Sequence, residues 1–187
     1  MGTPQAYDIL ISLFTSSGAA VSAFEGTGNA GIQHLKRSRR YLEITDPGRN
    51  RKIELLLLRM GDEESVARAM QSFSADSQMI DAMGSYYEKF GKRPEVLGWL
   101  RKVCLYHIEY DRGPWLARLL GVWNAEWDHI QESRFRLEQV VELLYQFGDH
   151  DFLLEHAKAI NSIVYIPELK SIVTSLLANL ARMEQCL

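Results

Sequence analysis

Apolar positions along this chain recur mostly every three or four residues, the period of a helix with one buried face. The clearest stretch runs from Trp127 to Phe147. Its stripe of Ile130, Leu137, Val141 and Leu144, with Arg134 at the same spacing, predicts an amphipathic helix that Gly148 ends. Asp149 then caps a helix over Phe152–Ile163, and Pro167 opens a last one carrying Leu169, Ile172, Val173, Leu176, Leu177, Leu180 and Met183.

Upstream, Pro94 starts a helix through Val96, Leu100, Val103 and His107, and Gly113-Pro114 breaks it before a Trp115–Trp123 segment. Asp76 or Ser77 starts a helix with Ile80, Met83, Tyr87 and Phe90, which Gly91 closes. Gly61-Asp62 ends one helix and caps the next, whose apolar positions are Val66, Met70 and Phe73. Ala6–Phe14 is an apolar, helix-like run, and Gly18–Gly31 is rich in glycine and small residues.

Two readings compete between Arg40 and Leu58. Asp46 and Pro47 suit the cap and first turn of a helix carrying Ile53, Leu56, Leu57 and Met60. Alternatively, Arg40–Thr45 and Lys52–Leu58 form the arms of a β-hairpin around Asp46-Pro47-Gly48. The run Leu55–Leu58 does not alternate, which favours helix.

Together these elements predict an all-α protein, a compact bundle or stacked helical hairpins of about eight or nine helices. It is read as a single domain over residues 1–187, with two lobes, 1–91 and 92–187, as the alternative division. No fixed repeat period is evident, so a regular repeat array is not expected.

Composition agrees with a globular fold: 47% of residues are hydrophobic and 24% charged. No run is long and apolar enough for a membrane span, and the N-terminal residues lack a basic region before their apolar run. Ala6 stands where a myristoylation motif needs Ser or Thr, and Cys186 is not placed as a prenylation site. Two cysteines are too few for a disulfide framework, so the expected setting is intracellular, cytoplasmic or nuclear.

Charge changes the picture more. Lys36, Arg37, Arg39, Arg40, Arg49, Arg51 and Lys52 stand against only Glu43 and Asp46, so Lys36–Lys52 carries +5 in a chain of net −3. The remainder is therefore −8, and Glu126–His156 holds eight acids against Arg134 and Arg136. A second, looser basic group includes Lys89, Lys92, Arg93, Arg101 and Lys102. Phosphate recognition needs several cations on one face, and arginine grips phosphate with two parallel hydrogen bonds. The expected nucleic-acid-binding residues are therefore Lys36, Arg37, Arg39, Arg40, Arg49, Arg51, Lys52, Lys92, Arg93, Arg101 and Lys102. Tyr41, Tyr86 and Tyr87 would add stacking on unpaired bases, although aromatics at helical spacing are more often core. The same basic run also fits the partner of the acidic face on a second copy, a solvated face, or a loose nuclear-import pattern.

Catalytic signals are weak. Gly26-Thr27-Gly28-Asn29-Ala30-Gly31 matches G-x-G-x-x-G, with Asp46 about where a ribose-binding acid would stand, but no alternating strands follow. His34, His107, His129, His150 and His156 show no strong zinc spacing, and no P-loop or nucleophile elbow is present. His107, Glu109, Tyr110 and Asp111 are acid–base candidates of a kind that any helical protein brings together.

The expected function is non-enzymatic: sequence-tolerant binding of RNA or DNA backbone, with a homo-oligomer adding avidity and with no cofactor, metal or membrane. The alternative is an α-helical protein-interaction adaptor or assembly subunit with no nucleic-acid role. Trp99, Trp115, Trp123 and Trp127 are core by default, and an exposed one would mark a protein interface.

Overall fold

A computed structural model describes residues 26–71, 76–91, 93–112, 127–164 and 166–184, together with Gln5, Ala6, Ile9, Ile11 and residues 22–24. At 40–45, 112, 127–130, 176, 177 and 179–184 it describes the backbone alone. The described residues are all-α: α1 is Gly28–Thr45, α2 Pro47–Arg59, α3 Glu63–Ala69, α4 Ser77–Lys89, α5 Pro94–Arg112, α6 Trp127–Gln146, α7 His150–Ile163 and α8 Pro167–Glu184. None of these helices is long and apolar enough to cross a membrane. The Trp115–Trp123 segment and most of Ala6–Phe14 lie outside the described residues.

The competition between helix and hairpin at Arg40–Leu58 resolves as two helices. Asp46 interrupts them, and its carboxylate accepts the Arg49 backbone N–H at 2.9 Å. Pro47 occupies the first turn, where its missing N–H costs nothing. The leucine run is buried throughout: Leu55, Leu56, Leu57 and Leu58 are each at most 3% exposed, so no polar alternation was available to mark a strand.

The chain divides into two compact units, Met1–Ser72 with Asp81–Arg93, and Phe73–Ile80 with Pro94–Leu187. In the first, α1 packs against α2 and α2 against α3. Leu35 of α1 clusters with Ile53, Leu56 and Leu57 of α2 and with Met60 just after it, and Phe24 and Ile11 join the same cluster. In the second, α5 packs against α6 and α7 against α8, giving two helical hairpins in contact through α6 and α7. Its core comes from Val96, Leu100, Val103, Leu137, Val141, Leu144, Leu153 and Ile160. Each such side chain contributes roughly 1.5–3 kcal/mol on burial.

One turn recurs in both units. Gly61 (φ 83°) and Gly148 (φ 78°) sit in the left-handed region that closes a helix. After them, the Asp62 N–H donates to Leu57 O and the Asp149 N–H to Leu144 O, both at 2.9 Å. A hydrophobic residue, Met60 or Phe147, precedes each glycine, and a new helix starts directly after each aspartate. This local repetition occurs without a fixed period along the chain.

Candidate nucleic-acid interface

Two cations of α1, Lys36 and Arg39, are engaged by acids of the same unit. Lys36 Nζ lies 2.7 Å from Asp62 Oδ1 and 3.3 Å from Glu64 Oε2. Arg39 is only 6% exposed. Its guanidinium donates to Glu64 at 2.9 Å and to Glu54 and Ser65 Oγ at 3.4 Å. Arg68 of α3 closes the ring, reaching Glu64 at 2.9 Å and Glu54 at 3.3 Å. Asp62 also accepts the Ser65 backbone N–H at 3.1 Å, which caps α3, and the Ser65 hydroxyl at 2.9 Å.

Three cations and three carboxylates thus form one network that ties α1, α2 and α3 together. Its titration reflects the pairing. The Lys36 ammonium is raised above its ordinary value, chiefly by its hydrogen bond to Asp62. The Glu64 carboxyl is lowered, chiefly by Arg39 and then Lys36. Positive charge balanced this closely leaves little field for a phosphate, because each cation would have to exchange a carboxylate for the new anion.

The other basic residues separate into groups. Arg93 grips Glu63 with two bonds of 2.6 and 2.5 Å and lies over the Tyr86 ring, 5.7 Å from its centre. The Glu63 carboxyl is lowered as a result. Arg101, in the second unit, grips Asp149 with two bonds of 2.6 Å and lies 5.6 Å over Phe152. Arg49, Arg51 and Lys52 are half-buried on α2, and Arg37 and Lys102 are exposed. Among the described residues Arg37 and Lys52 have no ion pair. The side chain of Arg40 and the whole of Lys92 lie outside the described residues, as does the Tyr41 side chain.

Two of the three aromatic residues assigned to base stacking, Tyr86 and Tyr87, are core. Tyr86 is 1% and Tyr87 5% exposed, because their helix turns both toward its packed side. Exposed aromatics among the described residues include Phe90, Phe135 and Tyr145, together with Tyr106 and Tyr110 on α5, whose rings stack with centres 6.2 Å apart. Their four-residue spacing was visible in the sequence. Nothing there distinguished them from the buried Tyr86 and Tyr87, since helical spacing alone does not say which face meets solvent. Trp99 is buried, and the other three tryptophan side chains lie outside the described ones.

Candidate chemistry is dispersed. His107 is buried on α5, with Nδ1 2.8 Å from Ser133 Oγ on α6. Burial pushes its pKa down to about 4, and Arg136 pushes in the same direction. Asp111, two residues past the exposed Glu109, is engaged by Arg134 at 2.6 Å. His156 bonds the Phe152 carbonyl oxygen at 3.0 Å, while His150 meets the edge of Tyr145. Burial pushes the Cys104 thiol up to about 12, so it stays protonated and unreactive at neutral pH. Among the described residues no group of three His, Cys, Asp or Glu is arranged to hold a metal ion.

The glycine motif belongs to a turn. Residues 22–24 before it are helical, Thr27 Oγ1 donates to Phe24 O at 2.6 Å, and Gly28 opens α1. Gly31 faces Thr27 so closely that an added Cβ would meet its hydroxyl at 1.9 Å. Asp46, the would-be ribose acid, is the cap of α2.

No protein-family model, no curated protein and no solved structure matches the chain. The functional reading therefore rests on its own residues.

Proposed function

We propose that the chain is a non-enzymatic, all-α protein-interaction adaptor or assembly subunit whose partner is another protein or a second copy of itself. The observation that carries this reading is the engagement of Lys36 and Arg39 by Asp62, Glu54 and Glu64 of the same unit. Arg93 and Arg101 are held in the same way by Glu63 and Asp149. Lys36 and Arg39, two of the seven cations of the basic segment, cross-link its helix to α2 and α3. The exposed Tyr106, Tyr110 and Phe135 are side chains of the kind that anchor protein interfaces, whose cores favour aromatics.

A second reading keeps nucleic acid as the partner, and a specific observation supports it. Arg37 is exposed, Lys52 is half-buried, and neither has an ion pair among the described residues. Two cations would give weak, sequence-tolerant contact that falls with salt.

Titration of labelled single- and double-stranded RNA and DNA across a salt series separates the two. The adaptor reading expects no binding even at low salt and no difference between the wild-type protein and an Arg37→Ala/Lys52→Ala variant. Weak binding at low salt that falls as salt rises and is lost in that variant would replace it with the nucleic-acid reading.

A further inference from the structure

We draw no further inference here: the strongest candidate, the stacked Tyr106–Tyr110 pair on the exposed side of α5, is an unpartnered aromatic face, and nothing in the structure shows what covers it.

Discussion

The two glycine–aspartate turns share a backbone and differ in what surrounds them. Gly61-Asp62 and Gly148-Asp149 close one helix with the same hydrogen bonds and open the next. In the first unit the Asp62 carboxylate caps α3 and also takes Lys36. In the second, Asp149 stands at the cap position of α7, yet its side chain makes no cap hydrogen bond. Arg101 holds both of its oxygens instead. Local sequence sets the path of the chain through such a turn, while the role of the acid depends on which cation the tertiary fold delivers.

The contrast extends to the helices around them. The α1–α3 seam is ionic, with Arg39 buried among Glu54, Glu64 and Ser65. The α5–α6 seam joins apolar packing to one buried neutral histidine against Ser133 and an ion pair, Arg134 with Asp111. The two should therefore fail under different conditions.

Acid offers the largest expected separation. His107 titrates near 4 in the folded protein against an ordinary 6.5. Below pH 6.5 the unfolded chain gains a proton that the folded chain refuses until about pH 4. The stability that neutral His107 contributes is thus present above 6.5 and lost as pH falls toward 4, by about 3 kcal/mol in all. Hydrogen exchange read separately over α5–α6 and over α1–α3 checks this. Protection should fall in α5–α6 between pH 6.5 and 4.5, and His107→Gln should flatten the slope. The lowered carboxyls of Glu63 and Glu64 act in the other window. Their contribution is present above pH 4.5 and lost only below it, so protection in α1–α3 should hold through the first window.

The turns themselves give the next effect. An alanine at either glycine is strained by its positive φ, about 1–2 kcal/mol. At Gly61 the new Cβ would also fall 2.7 Å from the Phe90 ring, whereas at Gly148 it meets nothing within 4 Å. Urea unfolding should show Gly61→Ala costing roughly 1 kcal/mol more than Gly148→Ala, as Phe90 swings away and loses contact. Equal costs would mean that the ring yields freely.

Replacing the acids is expected to matter less. Asp62→Ala removes a cap and an ion partner and should cost about 2 kcal/mol, while Asp149→Ala removes a pairing with a half-exposed arginine and should cost about 1 kcal/mol. Thermal or urea unfolding measures both, and the reverse order would contradict the assignment of the α3 cap to Asp62. Smallest is the effect of salt. Raising it to about 1 M should slightly lower the urea midpoint of the first unit relative to the second, because the exposed pairs of Glu63 and Glu64 are screened while the buried His107–Ser133 contact is not.

Much of the fold was legible because helix punctuation is local. Asp46-Pro47, Gly61-Asp62, Gly91, Pro94, Gly148 and Pro167 each mark a helix end that the structure shares. The run Leu55–Leu58 pointed to helix only through its lack of alternation, because every position is buried and no polar face marks the period. The site was far less legible. A sequence reveals that Lys36–Lys52 is basic, but Asp62 and Glu64, which pair with Lys36 and Arg39, follow at the start of another helix, and only packing brings them there. Tyr86 and Tyr87 misled for a related reason: adjacent residues point about 100° apart on a helix, and both fell within the wide buried face.

The most direct test of the account is the stability of Arg39→Ala beside Arg37→Ala, each measured by equilibrium urea unfolding. Loss of the buried Arg39 leaves Glu54 and Glu64 less compensated and should cost about 3 kcal/mol, while the exposed Arg37 should change stability by less than about 0.5 kcal/mol. Equal, small effects would contradict the claim that Arg39 is engaged inside its own unit and would return it to the surface as a residue for a partner.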